Sequence, residues 1–223
     1  MSFRRPCVLL TAVVAACATA TSRQQQATSD ASAGQGDGPS GGEGLPPHID
    51  AAIDAPPGSC TTPCAGALAT WSFTGAPGTQ ATTDATNMAP GVTAGPVSRS
   101  SGLTVQSGLN SINSSGWPIA AALDPAKYYT FSVTPPSGCL MDLTQLSIDL
   151  KASGSGPTAV AVATSGDSFG ATSPVMPTGV STPALSLHNV SSPVEIRVYG
   201  YTAAATTGTR RIQNTLTVTG ALR

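Results

Sequence analysis

The sequence predicts an all-β protein: a jelly-roll-like antiparallel β-sandwich that follows a signal peptide and a low-complexity, disordered stalk. Three observations carry this prediction. After residue 65, short segments alternate apolar with polar side chains, which is the pattern of a strand with one buried and one solvated face. Gly, Pro, Ser and Asn separate these segments, and no stretch shows the 3.6-residue period of a helix. Several short strands without helices, in a region long enough to bury a core, indicate a sandwich or jelly roll.

Six segments of the region 65–223, which we take as one domain, are predicted as strands. The second of them places Tyr129, Phe131 and Val133 on one face, as the 2-residue period of a strand requires. Trp71 in the first segment is expected in the core, and Gly200, between Tyr199 and Tyr201, is expected to break the strand at the end of the fifth. In order, the segments are 68–73, 128–134, 146–150, 159–164, 194–199 and 212–219.

Residues 1–16 have the three-part form of an export signal. Arg4 and Arg5 supply the positive charge, and the apolar run over residues 7–16 is too short to span a hydrocarbon core of roughly 30 Å as a helix. The run ends in Val-Ala-Ala before Cys17, which resembles the lipobox of bacterial lipoproteins. The resemblance implies cleavage before Cys17, a lipid on that cysteine and attachment to a membrane. An ordinary secretory signal that is cut beside a cysteine is the alternative.

The region 17–64 is predicted to be a flexible stalk. Gly, Pro, Ser, Ala and Asp dominate it and aromatic residues are absent, so it has too little apolar surface to offset chain entropy. About forty such residues have a root-mean-square reach of about 35 Å. Ala18, rather than Asp, follows the cysteine, and in Gram-negative lipoproteins this goes with sorting to the outer membrane.

The charge of the chain argues against one class of partner. Charged residues make up 9% of the sequence and nearly cancel at a formal net charge of −1, so no polybasic patch is available for nucleic acid or anionic lipid. The abundance of Ser, Thr, Gly, Ala and Val suits an extracellular β-protein.

The order of motifs from residue 67 onward resembles a poorly characterised domain of bacterial cell-surface proteins and of extracellular proteins that carry sorting signals. The resemblance implies a jelly-roll sandwich similar to carbohydrate-binding modules. Related modules often hold a structural calcium ion through an acidic residue in the last strand, and Gln213 stands at that place here, so a calcium site is not implied. The motifs are Trp71-Ser-Phe73, Gly116-Trp117, Tyr128-Tyr129-Thr-Phe131, 146–151, Gly154-Ser-Gly156-Pro157, Asp167-Ser-Phe169, 197–201 and 211–214.

Aromatic side chains in or beside strands supply the candidate ligand-binding site. Rings on a wet sheet face can stack on sugars while neighbouring charged side chains bind hydroxyl groups; ordinary packing with a polar tip in water is the alternative. We expect a non-catalytic surface module that binds carbohydrate or another extracellular polymer. A structural or adhesive surface protein is the first alternative and a hydrolase the second. The candidate residues are Trp117, Tyr128, Tyr199 and Tyr201 with Arg197, Lys151 and Asp149.

The sequence predicts no catalytic residue, metal ion or cofactor. Asp149 and Glu195 fall on the polar sides of their strands and are expected to pair with Lys151 and Arg197, whereas a glycosidase needs two carboxylates that face each other across a cleft. His188 is the one histidine after residue 65, and no G-x-S-x-G turn presents a serine nucleophile.

Cys60, Cys64 and Cys139 are candidates for a disulfide, because an exported protein meets oxidising conditions. A Cys60–Cys64 bond would close a very short loop at the end of the stalk. A Cys64–Cys139 bond would close a loop of about 75 residues and would stabilise the fold by roughly 4 kcal/mol in the chain-entropy model. Of the three possible pairings, these two are favoured equally.

Overall fold

The computed structural model describes residues 60–223. The predicted signal peptide, Cys17 and almost all of the predicted stalk lie outside these residues. Residues 60–223 form fifteen strands and one short 3-10 turn, Ser165–Asp167. The strands are β1 (Cys64–Ser72), β2 (Pro77–Gly78), β3 (Thr82–Thr83), β4 (Asn87–Met88), β5 (Thr93–Arg99), β6 (Thr104–Gln106), β7 (Ser111–Ser115), β8 (Tyr128–Thr134), β9 (Met141–Ala152), β10 (Pro157–Thr164), β11 (Ser173–Val175), β12 (Gly179–Ser181), β13 (Ala184–Val190), β14 (Val194–Ala203) and β15 (Arg210–Leu222).

The strands form two sheets, which confirms the predicted β-sandwich. The nine-stranded sheet, called sheet A below, runs β12-β9-β15-β1-β4, with β13 on β9, β7 on β15, and β2 and β6 on β7. The six-stranded sheet, called sheet B below, runs β11-β10-β14-β8-β5-β3. The pairings are antiparallel except that of β2 with β7.

The core lies between the inner faces of the two sheets. Tyr129, Phe131 and Val133 are buried as the alternation predicts, and Trp71 packs edge-on against Phe131 with ring centroids 5.1 Å apart. Such edge-to-face pairs stabilise by about 0.5–1.5 kcal/mol beyond the area that they bury. The inner face of β8 is therefore the one that the 2-residue period predicts.

A buried arginine ties the two sheets together at one end. Arg210 of β15 is fully buried, and its guanidinium donates to the carbonyl oxygen of Pro177 at 2.7 Å and to that of Pro157 in β10. Tyr129 of β8 donates in turn to the Arg210 carbonyl oxygen at 2.5 Å. Burial lowers the pKa of Arg210 to about 10, and the nearby phenol of Tyr129 opposes this shift.

Strand β14 continues through Gly200, so the predicted break in the strand there is wrong. The residue pairs in register with Val160 of β10 and lies at a crowded point of the sandwich. A Cβ atom at Gly200 would lie 3.1 Å from side-chain atoms of Pro157 and Trp117 and 3.2 Å from Arg210. Close approach of these side chains, rather than a break in the strand, explains the glycine.

The disulfide joins Cys60 to Cys139, and neither of the two favoured pairings forms. Cys64 is the first residue of β1 and is held in register with Leu222, so its backbone belongs to sheet A. The chain upstream of β1 instead brings Cys60 to a Cα–Cα distance of 4.4 Å from Cys139, in the turn before β9. With a sequence separation of 79 residues, this bond stabilises the fold by roughly 4 kcal/mol in the chain-entropy model.

Candidate binding face

The outer face of sheet B carries rows of polar and aromatic side chains. In β14, Val194, Ile196 and Val198 point into the core, so Glu195 and Arg197 point outward. Because β14 pairs with β8 in register, each outward residue of one strand has an outward neighbour on the other. These cross-strand pairs are Glu195 with Ser132, Arg197 with Thr130, and Tyr199 with Tyr128.

The guanidinium of Arg197 contacts two aromatic rings, one of which packs against a third. Its Cζ atom lies 3.8 Å from the ring centroid of Phe169 and 4.3 Å from that of Tyr128. The rings of Tyr128 and Tyr199 are tilted against each other with centroids 5.6 Å apart. Cation–π contacts of this kind contribute about 0.5–2 kcal/mol each. We call these four residues the aromatic cluster; mutual packing fixes its side chains.

Glu195 forms a hydrogen bond and an ion pair with the Arg197 side chain of the aromatic cluster. Its Oε1 atom accepts a hydrogen bond from Arg197 Nε at 2.7 Å and one from Thr130 Oγ1 at 2.9 Å. Partial burial alone would lower the pKa of Arg197, but hydrogen bonds to Glu195 and Tyr199 outweigh that effect and raise the pKa. The Glu195 backbone N–H donates to Ser165 Oγ at 2.9 Å, which links β14 to the turn that precedes Phe169.

Phe169 reaches the cluster from a strained turn. Ser168 and Phe169 have φ angles of 57° and 60°, in the left-handed region that favours glycine. Non-glycine residues in this region cost about 1–3 kcal/mol each. The turn is held by the Phe169 N–H, which donates to the Thr164 carbonyl oxygen at 2.8 Å, and by Asp167, which accepts the Ala171 N–H at 2.8 Å. The strained backbone places the Phe169 ring on Arg197.

A groove of about 580 Å³ adjoins Glu195 on the outer face of sheet B. A β-bulge in β5 shapes it, since the pairing with β8 jumps from Gly95 opposite Ser132 to Ser98 opposite Thr130. Trp71 fixes the bulge from the core by donating its indole N–H to the Gly95 carbonyl oxygen at 3.1 Å. The lining combines hydroxyl groups, proline rings and one carboxylate; it includes Pro96, Ser98, Thr130, Ser132, Pro193 and Glu195.

The structure divides the predicted ligand-binding residues between the core and two different faces. Trp117, predicted to contact a ligand, is fully buried: it donates its indole N–H to the Ser114 carbonyl oxygen at 2.9 Å and packs on Tyr129, so none of its ring faces solvent. Tyr199 lies on the outer face as expected, but only 4% of it is exposed. Tyr201, half-buried, follows it on β14 opposite Ala159.

The remaining two predicted residues lie on the other sheet. Asp149 and Lys151 belong to β9, so they cannot share a ligand site with the aromatic cluster across the sandwich. Asp149 accepts hydrogen bonds from Gln213 at 3.3 Å and from Asn214 at 2.6 Å, in place of the expected ion pair with Lys151. The other expected pair, Glu195 with Arg197, does form.

A second polar cluster surrounds Asp142 of β9. His188 lies 3.7 Å from Asp142 and is well exposed. The hydrogen bond from the Asn189 backbone N–H lowers the pKa of Asp142 against the opposing effect of desolvation, and Arg223 and His188 lower it further. Over the same residues, no three His, Cys, Asp or Glu side chains are grouped so that they could hold a metal ion, and no helix is long and apolar enough to cross a membrane.

The sequence gives no indication that several residues of the outer face of sheet B belong to the candidate site. Phe169 belongs to one of the motifs that carry the family resemblance, but it lies in a turn, so no alternation of apolar and polar residues indicates which way its side chain points. Thr130, Ser132 and Pro96 look like ordinary strand or turn residues, and only the cross-strand register brings them to one groove. The bulge in β5 has a sequence signal in Gly95-Pro96, since both residue types disfavour a regular strand interior.

No protein-family model matches this chain, and comparison with curated proteins and with solved structures finds no match.

Proposed function

We propose that this protein is a non-catalytic cell-surface module that binds a carbohydrate polymer along the outer face of sheet B. The observation that supports the proposal best is the aromatic cluster, whose side chains pack on one another and whose Arg197 is hydrogen-bonded to Glu195, in the lining of a groove that carries hydroxyl groups. Preformed sites avoid the cost of ordering side chains on binding, about 0.5–1.5 kcal/mol for each.

The chemistry of the groove suits a neutral, hydroxyl-rich ligand. Thr130 donates its hydroxyl proton to Glu195, while Ser98 and Ser132 offer further hydroxyl groups. One Glu195 oxygen receives two donors, and the second can accept from a sugar hydroxyl. The half-buried ring of Tyr128 at the edge of the face can stack on the apolar side of a sugar ring.

The N-terminal part of the proposal comes from the sequence. The Val-Ala-Ala-Cys17 motif would place a lipid on Cys17 and hold the protein on a bacterial outer membrane, with residues 18–59 as a spacer. Cys17→Ala should release the protein from the membrane fraction, with the level of secreted protein as the control. Unchanged fractionation of Cys17→Ala would contradict a lipid anchor.

Affinity electrophoresis of the full chain in a panel of neutral polysaccharides tests the binding face. Tyr128→Ala should weaken binding by about tenfold or more because the stacking ring is lost, whereas Tyr128→Phe should keep most of the affinity. Thr144→Ala, on the exposed surface of sheet A, is the matched control. Retained affinity in Tyr128→Ala would discard the site, and failure to bind any polysaccharide would favour a structural or adhesive surface protein.

A further inference from the structure

Two cations stand at opposite positions of neighbouring strands on the outer face of sheet A. Lys151 of β9 and Arg211 of β15 are directly opposite each other in the antiparallel register. Like charges in directly opposite positions of a sheet destabilise it. The pair therefore needs a physical reason.

No carboxylate within residues 60–223 forms an ion pair with either cation. Arg211 Nε donates to Gln213 Oε1 at 3.1 Å, and neither of its Nη groups has a hydrogen-bond partner in that part of the chain. Asp149 is the nearest compensating charge along the strand, and it is occupied by the Gln213 and Asn214 amides.

The other cations of residues 60–223 are all engaged, so these two stand apart. Three of them pair with carboxylates and two donate to carbonyl oxygens inside the fold. The engaged cations are Lys127 with Asp124, Arg197 with Glu195, Arg223 with Asp142, Arg99 with the carbonyls of Gly78 and Gln80, and Arg210 with those of Pro157 and Pro177.

The two cations line a pocket of about 160 Å³ together with Ala152, Ser153 and Thr209. The Thr209 N–H donates to Ser153 Oγ at 2.9 Å and the Ser153 N–H donates to the Thr209 carbonyl oxygen at 3.0 Å, which fixes the wall of the pocket. Because the Ser153 hydroxyl oxygen is the acceptor in that bond, its proton is available to a ligand.

We propose that Lys151 and Arg211 form a binding site for a sulfate or phosphate group. The ammonium, the guanidinium and the two hydroxyl groups are the donors that a tetrahedral oxyanion requires, and the pocket is large enough for one such group. The bound anion would remove the repulsion between the two cations. The site lies on sheet A and is independent of the proposed carbohydrate face on sheet B.

The test is a titration of the full chain with sodium sulfate, in which backbone amide chemical shifts are measured by NMR. Sodium chloride at equal ionic strength is the control. Saturable shifts are expected at the five lining residues, with chloride giving none. Lys151→Gln and Arg211→Gln should each weaken sulfate binding by about fivefold or more, since each removes one charge-assisted contact. Lys127→Gln, a lysine outside the pocket, should bind as the wild type does.

A thermal readout separates the site from general salt effects. The wild type should gain more in Tm from sulfate than Lys151→Gln does, whereas Lys151→Gln in chloride should melt at the same temperature or higher, because the repulsion is gone. Shifts that do not saturate, or that persist in the Lys151→Gln, Arg211→Gln double variant, would overturn the proposal.

The source of the group follows from a second titration with dextran sulfate and uncharged dextran. Binding of dextran sulfate about tenfold or more tighter than inorganic sulfate, lost in the double variant, would assign the site to sulfate esters of a polymer. Equal affinity per sulfate would assign it to a free inorganic anion. Binding of dextran sulfate that the double variant retains would count against the site.

Discussion

At the scale of single residues, Arg210 combines a positive charge with complete burial. A buried guanidinium normally pairs with a carboxylate, yet here its hydrogen bonds go to two backbone carbonyls and its Nε has no partner within residues 60–223. The two carbonyls belong to Pro157 of sheet B and to the turn between β11 and β12. These two hydrogen bonds offset the free-energy cost of burying the charge, and they connect the two sheets in a way that apolar side chains cannot.

Arg210→Ala should therefore lower the free energy of unfolding by about 3–5 kcal/mol, because it leaves a cavity and two buried carbonyls without donors. Urea unfolding followed by tryptophan fluorescence measures the change. Arg211→Ala, one residue along on the solvated face, should stay within about 0.5 kcal/mol of the wild type. Equal losses in the two variants would show that Arg210 is not the link described above.

Tyr129 gives the core a dependence on alkaline pH. Burial raises its pKa well above the ordinary value of 10.0, so the unfolded chain loses the phenolic proton at a pH where the folded chain keeps it. This group therefore costs stability as the pH rises above about 10. Arg210 acts in the opposite direction, since its pKa of about 10 lies below that of the unfolded chain and its contribution to stability rises there.

Tyr129→Phe should remove only the first of these effects. The free energy of unfolding of the wild type should fall relative to that of the variant between pH 9 and about pH 11, as measured by urea midpoints at each pH. The two curves should run parallel between pH 6 and pH 8. Curves that stay parallel at alkaline pH would mean that the phenol is not buried in the folded state.

At the scale of elements, the crowding at Gly200 explains why β14 can pass between Pro157, Trp117 and Arg210. Gly200→Ala should destabilise the protein by about 1–3 kcal/mol, because its Cβ would press on three side chains that are already packed. Gly154→Ala is the matched control, since nothing lies within 4 Å of a Cβ at that position. Thermal unfolding of both variants provides the comparison; a Gly200→Ala variant as stable as Gly154→Ala would refute the packing argument.

The disulfide acts on the same scale, because it fixes the segment before β1 to the turn before β9. Non-reducing peptide mapping should recover one peptide that joins Cys60 to Cys139, and Cys139→Ala should lower stability by roughly 4 kcal/mol. The sequence separation sets this magnitude, since a longer closed loop restricts the unfolded chain more. A peptide that joins Cys64 to either of the other two would contradict the pairing.

At the scale of the whole molecule, the sequence predicts the sandwich well and the candidate binding face poorly. Alternation in β8, β9 and β14 is sufficient to assign their inner faces, because burial on one side of a sheet is a local property of the chain. The strands of two or three residues, such as β2 and β3, are too short to show any period. Trp117 follows a glycine and lies outside any alternating segment, so the sequence does not indicate whether its ring points into the core or into solvent.

The features that define the candidate face depend on distant parts of the chain. The aromatic cluster needs the register of β8 with β14 and the turn that carries Phe169, and the cation pair needs the register of β9 with β15. None of these pairings follows from nearby residues. The cysteine pairing has the same origin, since it depends on where the chain upstream of β1 crosses to the turn before β9.

The position of that disulfide also decides how the molecule bears tension. A pull on the chain from the N-terminal side reaches Cys60 before it reaches β1, and the sulfur–sulfur bond passes the load to the turn that begins β9. Strand β9 is paired with β15 over most of its length, so the load reaches the long β9–β15 ladder of hydrogen bonds as well as β1. Without the bond, the same pull would act first on the pairing of β1 alone.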